Sequence, residues 1–394
     1  MHPSSVSLLS ILDNDFYKFT MQQCVVKLFP RAQARYQFIN RGKHPFPEGF
    51  AAALQASVDA MAGLKLTKEE KQYLAATCPY LDPVYLDFLQ GYCYDPAEVK
   101  ITQKGNNVSV QVEGLWYRTI LWEVPLLCLI SENYYRLRGD KRASDAEVKR
   151  ITQEKMQRYN ELGVTIAEFG TRRRHSFEVH RLVVEALKEN AGKGFVGSSN
   201  VYLAMLYDTK PIGTHAHEWF MFHAAKYGFK MANAMALEHW VDVFRGDLGI
   251  ALSDTYTTSE FFEHFDKKFA KLFDGVRHDS GDPLEFADKT IRHYQQFGID
   301  PLSKTIIFSD ALNYDKVARI VAHCKGRIGY SFGIGTNFTN DVGLEPMNIV
   351  MKMTEAFPEG QEWTPVVKLS DEKGKYTGAP EMIALAKRIL NIQE

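Results

Sequence analysis

The sequence has few cysteines, almost no charge imbalance and no long apolar run. Its 5 cysteines are scattered through 394 residues without a C-x-x-C pair, which excludes a disulfide framework or zinc ribbon and indicates a reducing compartment. The formal net charge is −1, so the basic excess of a nucleic-acid binder is missing. No window reaches the roughly 18 apolar residues that span a bilayer, and the N-terminus lacks a signal-peptide pattern. We expect a cytoplasmic protein without nucleic-acid or membrane partners.

What is present is typical of a globular enzyme-sized chain. Apolar residues make up 45% and charged residues 24% of the sequence, and the length suits two domains or one barrel with an added domain. Residues 1–150 mix helix and strand patterns: a helix capped at Asp13 or Asn14, a strand over "ARYQFIN" and a hairpin over "VKITQKGNNVSVQVEG". We therefore predict an N-terminal α+β domain over 1–150, on which the last helices, 375–394, pack.

Residues 151–370 have a different pattern, in which short β-branched runs are each followed by a polar cluster and then a helical pattern. Seven such units occur: "VTIAEFGTRRRHS", "GFVGSSNVYLA", "PIGTHAHEWF", "LGIALSDTYTTSE", "GVRHDSGDPLEF", "TIIFSDALNYD" and "IGYSFGIGTNFTND". Repeated β-then-α units predict a parallel sheet in an α/β fold, here long enough to close into a barrel. The active site of such a barrel lies at the carboxyl ends of its strands.

Two of these strand ends carry charged clusters. In "EFGTRRRHS", Arg172 follows a strand and a glycine, so its guanidinium can meet a carboxylate or phosphate, although a solvated charge cluster is the ordinary alternative. Phe169 before it suits either the core or a stack on a flat ligand. In "GVRHDSGDP", Arg277, Asp279 and Asp282 crowd one turn. Capping of a helix explains one carboxylate, whereas a ribose diol or a magnesium ion on a pyrophosphate explains the pair.

Two later strand ends suit a phosphate. Gly333, Gly335 and Thr336 in "SFGIGTNFTND" let backbone N–H groups approach an anion at a helix start. Ser309 in "FSDALN" lies at the preceding strand end, where helix capping is an equally good explanation.

The segment "GTHAHEWF" holds His215 and His217. On a strand, two histidines two residues apart face the same way and can bind a metal, but a metal site needs further ligands at other strand ends. His175, His223 and His278 lie in helical or arginine-rich runs and fit that role poorly. The alternative is a nucleophilic or acid–base His217, oriented by Glu218 or another carboxylate.

Taken together, "LLSILDNDFYKFTMQQ", "EFGTRRRHS", "GSSNVYLA", "GTHAHEWF", "GVRHDSGDP", "FSDALN" and "FGIGTNF" resemble the bacterial and fungal nicotinate phosphoribosyltransferase family, in order and without a large gap. The resemblance implies an irregular α/β barrel of parallel strands plus an N-terminal α+β domain. It implies an enzyme of NAD biosynthesis and salvage that joins nicotinate to phosphoribosyl pyrophosphate, giving nicotinate mononucleotide and pyrophosphate. It further implies ATP as co-substrate through a phosphorylated His217, and Mg²⁺ carried on pyrophosphate rather than in a protein cage.

The resemblance also implies roles for individual residues. Asp279 and Arg277 join His217 as catalytic residues, and Asp282 lies near ribose and pyridine. Arg172 holds nicotinate or phosphate, and Phe169 stacks on the pyridine ring. Tyr17 stacks on the other side from a neighbouring subunit, which implies a homodimer with shared sites. The remaining implied substrate-binding residues are Ser199, Thr214, Ser309, Gly333, Gly335 and Thr336.

The resemblance indicates the acid as substrate, because relatives that use nicotinamide carry an aspartate near the position of Ser199. At His215, bacterial relatives often carry glutamine. Four alternatives stay open at this point: nicotinamide phosphoribosyltransferase, quinolinate phosphoribosyltransferase, a metal-dependent barrel hydrolase that uses the His215 and His217 pair, and a non-catalytic binding or regulatory protein that keeps the barrel.

Overall fold

The computed structural model describes residue 6 and residues 8–192, 194–372 and 375–392. The strands, numbered in chain order, are β1 (Gln33–Asn40), β2 (Val99–Lys104), β3 (Asn107–Leu115), β4 (Ile166–Glu168), β5 (Phe195–Ser198), β6 (Lys210–Pro211), β7 (Ile250–Leu252), β8 (Gly275–His278), β9 (Thr305–Phe308), β10 (Gly329–Ile334), β11 (Ile349–Phe357) and β12 (Thr364–Pro365).

The α-helices cover both sheets. They are α1 (Phe16–Leu28), α2 (Phe50–Ala60), α3 (Lys68–Thr77), α4 (Pro83–Gly91), α5 (Trp116–Thr119), α6 (Glu123–Arg138), α7 (Asp145–Glu161), α8 (Phe177–Glu189), α9 (Val201–Leu206), α10 (His217–Tyr227), α11 (Phe229–Phe244), α12 (Thr258–His264), α13 (Lys267–Leu272), α14 (Pro283–Gln296), α15 (Tyr314–Cys324), α16 (Thr336–Thr339) and α17 (Pro380–Ile389). Short 3₁₀ helices lie at Met61–Gly63, Pro96–Glu98, Thr171–Arg173 and Pro301–Ser303.

Strands β4 to β10 form one parallel sheet in the order β6-β5-β4-β10-β9-β8-β7. These are the seven strands that the repeated β-then-α pattern predicts, each followed by a helix that covers the sheet. The sheet curls, but β6 and β7 lie at its two outer edges. The predicted α/β fold is therefore confirmed, as a half-barrel that backbone pairing leaves open between β6 and β7.

The other sheet is antiparallel, with the order β12-β11-β1-β3-β2. The hairpin predicted over residues 99–114 is confirmed as β2 and β3. Strand β1 pairs with β3 on one side and along its full length with β11 on the other. Residues 349–357 were included in the predicted barrel domain, 151–370, but their strand completes the sheet of the N-terminal part. The pairing partners lie more than 300 residues apart in sequence, so no local pattern reveals it.

Local sequence explains several helix ends. Thr67 and Glu70 form a capping box at the start of α3. Helix α1 begins later than predicted, with Asp15 as its N-cap. The reason is that the predicted caps are used elsewhere: Asp13 accepts hydrogen bonds from Arg174 and Asn200, and the Asn14 amide donates to the Leu121 carbonyl.

The last helix, α17, contacts α11, which lies within residues 151–370 and not in the N-terminal part on which it was expected to pack. Over the described residues, none of the helices has both the length and the apolar character to cross a membrane.

Candidate active site

A cavity of about 770 Å³ lies at the carboxyl ends of β4, β8, β9 and β10, and β1 and β11 of the antiparallel sheet face it. Parallel strands end at the same edge of a sheet, so polar residues that follow different strands meet there. The sequence-predicted residues that line this cavity are Tyr17, Phe169, Arg172, His217, Arg277, Asp279, Ser309, Gly333, Gly335 and Thr336.

His217 is the first residue of α10 and lies in the deepest polar part of the site. Its Nδ1 is 3.0 Å from Thr255 Oγ1, and its Nε2 is 3.1 Å from Asp279 Oδ2 and 2.9 Å from Lys368 Nζ. Burial lowers the pKa of His217 to about 4, and the Lys368 ammonium acts in the same direction against Asp254 and Asp279. The imidazole is therefore neutral near pH 7 and keeps a lone pair with which it can act as a nucleophile.

Two carboxylates flank this histidine. Asp279 accepts a hydrogen bond of 2.9 Å from Ser309 Oγ. Burial favours its protonated form, but the bond to His217 and the Arg277 guanidinium outweigh that effect and hold the pKa of Asp279 well below its usual range. Asp254 accepts from Ser280 Oγ at 2.6 Å through Oδ2, while its buried Oδ1 has no hydrogen-bond partner among the described residues.

The donor set of this corner suits a divalent cation. Ligand atoms of His217, Asp254 and Asp279 lie within 4.8 Å of one another, and carboxylate oxygens are the ligands that Mg²⁺ prefers. Lys368 Nζ, 3.6 Å from Asp254 Oδ2, supplies positive charge at the same place. The unpartnered Asp254 Oδ1 is the observation that fits a cation best, because a buried carboxylate oxygen without a partner is costly.

Gly333 at the end of β10 and Gly335 just after it shape the wall opposite. A Cβ at Gly333 would lie 3.0 Å from the Phe169 ring, and one at Gly335 would lie 2.9 Å from the Phe169 carbonyl oxygen. The Phe169 N–H donates to the Ile334 carbonyl at 2.8 Å, so β4 and β10 approach closely just above the cavity. Glycine at these positions leaves room for the Phe169 ring beside the cavity, where a flat ligand can stack on it.

Cations without partners mark the cavity as an anion site. Arg41, Arg173 and Lys352 line it, and their side chains have no hydrogen-bond or ion-pair partner among the residues that the structure describes. Burial, helped by the Lys368 ammonium, lowers the pKa of Lys352 to about 7. Burial together with Arg172 and Arg41 lowers the pKa of Arg173 to about 10. Mutually repelling cations of this kind are stabilised when a polyanion binds.

A buried ion-pair network supports the wall of the cavity, and Glu123, Glu218 and Tyr36 of this network line it. Lys18 of α1 is paired with Glu218, the second residue of α10, and with Glu123 of α6 at 2.6 Å. Tyr36 donates to Glu218 at 2.6 Å, and Arg172 lies 3.7 Å from Glu123. Glu218 therefore anchors the first turn of α10, and with it the backbone that carries His217.

Three sequence-predicted residues do not line the cavity. Ser199 is buried one layer behind it, where its hydroxyl donates to Asp15 at 2.7 Å. Thr214 donates to the Ile250 carbonyl of β7 at 3.0 Å. Asp282 caps α14 through the Leu284 and Glu285 N–H groups, and it borders a separate cavity of about 600 Å³.

Tyr17 was expected to reach this site from a neighbouring subunit. Instead, it lines the cavity of its own chain, because α1 packs against the segment that precedes His217: a Cβ at Gly213 would lie 3.0 Å from the Tyr17 nitrogen.

The His215 and His217 pair does not form the metal site considered above. The segment between β6 and α10 is not a strand, and the two side chains point in different directions. His215 packs against Trp240 and Phe220, and the Leu252 N–H donates to its Nε2 at 3.1 Å. Burial, with Arg277 and His217 adding to it, holds the pKa of His215 well below its usual range.

The other histidines considered are also occupied elsewhere. His175 stacks on Tyr135, and His223 contacts the Trp219 carbonyl and His239. His278 packs between Phe286 and Phe308.

Sequence reasoning missed several residues of the site. Lys352 lies in β11, and Lys368 follows β12. Each is a lone lysine among apolar residues with no motif around it. Asp254 and Thr255 follow β7 in "LSDTY". The sequence predicts a strand end here, so the polar residues after it were a signal that could have indicated the site.

The profile of the nicotinate phosphoribosyltransferase (NAPRTase) family matches residues 164–394, and that of its N-terminal domain matches residues 12–131. A nicotinate phosphoribosyltransferase of Chromohalobacter salexigens is 66% identical over 97% of this chain and 98% of that protein. One of Desulforapulum autotrophicum is 49% identical over 97% and 98%.

Solved structures agree with these sequence matches. The crystal structure of nicotinate phosphoribosyltransferase from Porphyromonas gingivalis superposes with a TM-score of 0.95 at 46% identity, covering 98% of this chain and 100% of that one. A putative nicotinate phosphoribosyltransferase from Saccharomyces cerevisiae gives a TM-score of 0.93 at 32% identity, covering 100% of both chains. The resemblance seen in the sequence is confirmed, and the chain belongs to the nicotinate phosphoribosyltransferase family.

Proposed function

We propose that this protein joins nicotinate to phosphoribosyl pyrophosphate, giving nicotinate mononucleotide and pyrophosphate in NAD biosynthesis, with ATP hydrolysis coupled through His217. The observation that carries the proposal is the cavity in which ten residues of the family motifs meet three cations whose side chains have no partner among the described residues. A polyanionic sugar substrate and an anionic pyridine are the ligands that such a cavity suits.

The aromatic and arginine residues suit nicotinate. Phe169 and Tyr17 both border the cavity, and a stack on a pyridine ring contributes about 1 kcal/mol beyond burial. Arg172 can hold the pyridine carboxylate with its planar fork. Because Ser199 lies behind the cavity, its contribution to the choice of acid over amide is indirect and acts through Asp15.

In the reaction, the pyridine nitrogen donates its lone pair to ribose C1. The bond from C1 to the pyrophosphate oxygen breaks, and its electron pair leaves with pyrophosphate. Arg173, Lys352 and Lys368 offset the charge that develops on the leaving group, and Asp279 faces the oxocarbenium character that develops on the ribose. Gly333, Gly335 and Thr336 offer backbone N–H groups to the 5′-phosphate.

Magnesium fits the same corner of the site. The unpartnered Asp254 Oδ1 and the neighbouring Asp279 carboxylate would hold a Mg²⁺ ion. When bound, the ion neutralises part of the charge on the departing pyrophosphate.

ATP coupling rests on the neutral His217. An imidazole nitrogen with its lone pair attacks the γ-phosphorus of ATP, the bond from that phosphorus to the bridging oxygen breaks, and ADP leaves. The phosphorylated ring carries positive charge, which Asp279 and Asp254 stabilise. Its phosphate of roughly −2 charge then lies beside the cationic cavity wall and can order it.

The test is formation of nicotinate mononucleotide from nicotinate and phosphoribosyl pyrophosphate, with and without ATP, and with nicotinamide in parallel. We expect product from nicotinate, stimulation by ATP, and label on the protein from γ-labelled ATP. His217→Asn should lose the label and the response to ATP. His323→Asn, which changes a surface histidine paired with Asp288, is the control and should keep both.

Two results would contradict different parts of the proposal. No product from nicotinate with the wild-type protein would refute the activity itself. Full stimulation by ATP in His217→Asn would refute only the phosphohistidine.

A further inference from the structure

The half-barrel is open between β6 and β7, and the segment that crosses this opening carries His217. Pairing with β5 ends where the Ile212 N–H donates to the Ser198 carbonyl at 3.0 Å. The chain then turns at Gly213, with φ of 152°, and runs beside β7 to the start of α10.

Side chains take the place of strand pairing across this opening. Thr214 Oγ1 donates to the Ile250 carbonyl at 3.0 Å, and His215 Nε2 accepts from the Leu252 N–H at 3.1 Å. In a parallel sheet, a carbonyl and an N–H two residues apart on one strand bond to the neighbouring backbone. Here the hydroxyl and the imidazole supply the same donor and acceptor.

We propose that His215 is a positioning residue: its Nε2 replaces a missing strand partner and thereby fixes His217 against the end of β7. The proposal rests on the proposed role of His217 in ATP coupling. His215 lies two residues before His217, and Leu252 lies three residues before Thr255. The Leu252 bond therefore ties together the two short segments that place His217 Nδ1 3.0 Å from Thr255 Oγ1.

The surroundings of His215 suit this role. The side chain is fully buried, and its ring meets Trp240 edge-on at 4.6 Å between centroids. Its backbone carbonyl accepts from Arg277 at 3.3 Å, which links the segment to β8 as well. Because Nε2 accepts a hydrogen bond, the proton of the neutral ring is on Nδ1.

The experiment uses substitutions of His215 that keep or shift the position of the atom that accepts the hydrogen bond from the Leu252 N–H. In His215→Gln the amide oxygen can occupy the place of Nε2, whereas in His215→Asn it can occupy only the place of Nδ1. Amide hydrogen exchange of Leu252 reports the bond itself, and the rate of labelling from γ-labelled ATP reports the positioning of His217. ATP-independent synthesis of nicotinate mononucleotide serves as the measure of an intact fold.

We expect His215→Gln to keep Leu252 protected and to keep labelling near the wild-type rate. We expect His215→Asn to raise Leu252 exchange about tenfold, as the loss of one net hydrogen bond implies, and to slow labelling by a similar factor while ATP-independent synthesis continues. In the wild type, nitrogen NMR of the His215 ring should show the proton on Nδ1.

Wild-type exchange and labelling rates in His215→Asn would overturn the proposal, and so would a proton on Nε2. Equal losses in the Gln and Asn variants would also overturn it, because they would indicate a packing role alone. If the wild-type protein takes no label, the proposed function of His217 fails, and unprotected Leu252 in the wild type would separately refute the bond.

Discussion

At the scale of single residues, the unpaired cations of the cavity give the site a dependence on pH. Lys352 is the clearest case, because burial and the Lys368 ammonium lower its pKa to about 7. A bound polyanion favours the charged lysine and so raises this pKa. Above pH 7, binding of a polyanion must therefore be accompanied by uptake of a proton on Lys352, whereas at lower pH the lysine is already protonated.

Affinity for inorganic pyrophosphate should therefore fall as pH rises from about 7 towards 8, by up to about tenfold per unit for one proton. The arginine of Lys352→Arg stays charged over this range, so the affinity of this variant for pyrophosphate should not fall with pH. Lys352→Met should bind pyrophosphate weakly at every pH. Calorimetry in buffers of different ionisation enthalpy measures the proton uptake directly. Equal uptake by the wild type and Lys352→Arg would show that another group titrates.

These residues also show what a sequence can predict about a site. Phe169, Arg277, Asp279 and Ser309 were predicted because each lies in a polar cluster at the end of a strand, and the topology alone brings them together. Lys352 and Lys368 carry no such signal. Their importance comes from long-range pairing, which delivers two isolated lysines to a cavity formed by segments far away in the chain.

At the scale of elements, α1 joins the two parts of the molecule through one buried charge. Lys18 is fully buried between Glu123 and Glu218. Removing one partner of a buried ion pair leaves the other charge uncompensated, which costs more than the pair contributes when it is intact. Lys27, in the last turn of the same helix, pairs with Asp82 at 2.8 Å with 37% of its side chain exposed.

Lys18→Met should lower the free energy of unfolding by about 3–5 kcal/mol, because Glu218 is left buried without a cation and Glu123 keeps only Arg172, at 3.7 Å. Lys27→Met should change it by at most about 1 kcal/mol, as is usual for an exposed pair. Urea denaturation of the two variants and the wild type gives both values. Similar losses from both variants would mean that Lys18 is better solvated than its burial indicates.

The elements differ in how well a sequence predicts them. The seven parallel strands follow a repeated local pattern, and the hairpin of β2 and β3 has its turn residues between alternating strands. By contrast, β6 is only two residues long, because the chain leaves the sheet at Gly213 and side chains take over the pairing. Strand β11 was not predicted at all, since its partner β1 lies near the other end of the chain.

At the scale of the whole molecule, both parts of the chain contribute residues to the candidate site. Tyr17, from the N-terminal part, and Asp279, from the end of β8, border the same cavity. A homodimer with shared sites was expected because Tyr17 was assigned to a neighbouring subunit. With Tyr17 in the cavity of its own chain, we predict that activity requires no residue from a second subunit.

Complementation between two damaged chains tests this arrangement. Tyr17→Ser and Asp279→Asn should each be inactive or nearly so, and their co-expression should restore nothing, because every chain then holds one damaged site. If Tyr17 were supplied by a partner, mixed dimers would contain one intact site, and about a quarter of wild-type activity would return for random two-fold pairing. Co-expression of the wild type with a chain that carries both substitutions shows how much activity the assay detects from a mixture of intact and damaged chains. Restored nicotinate mononucleotide synthesis in the mixture of single variants would show that the site is shared after all.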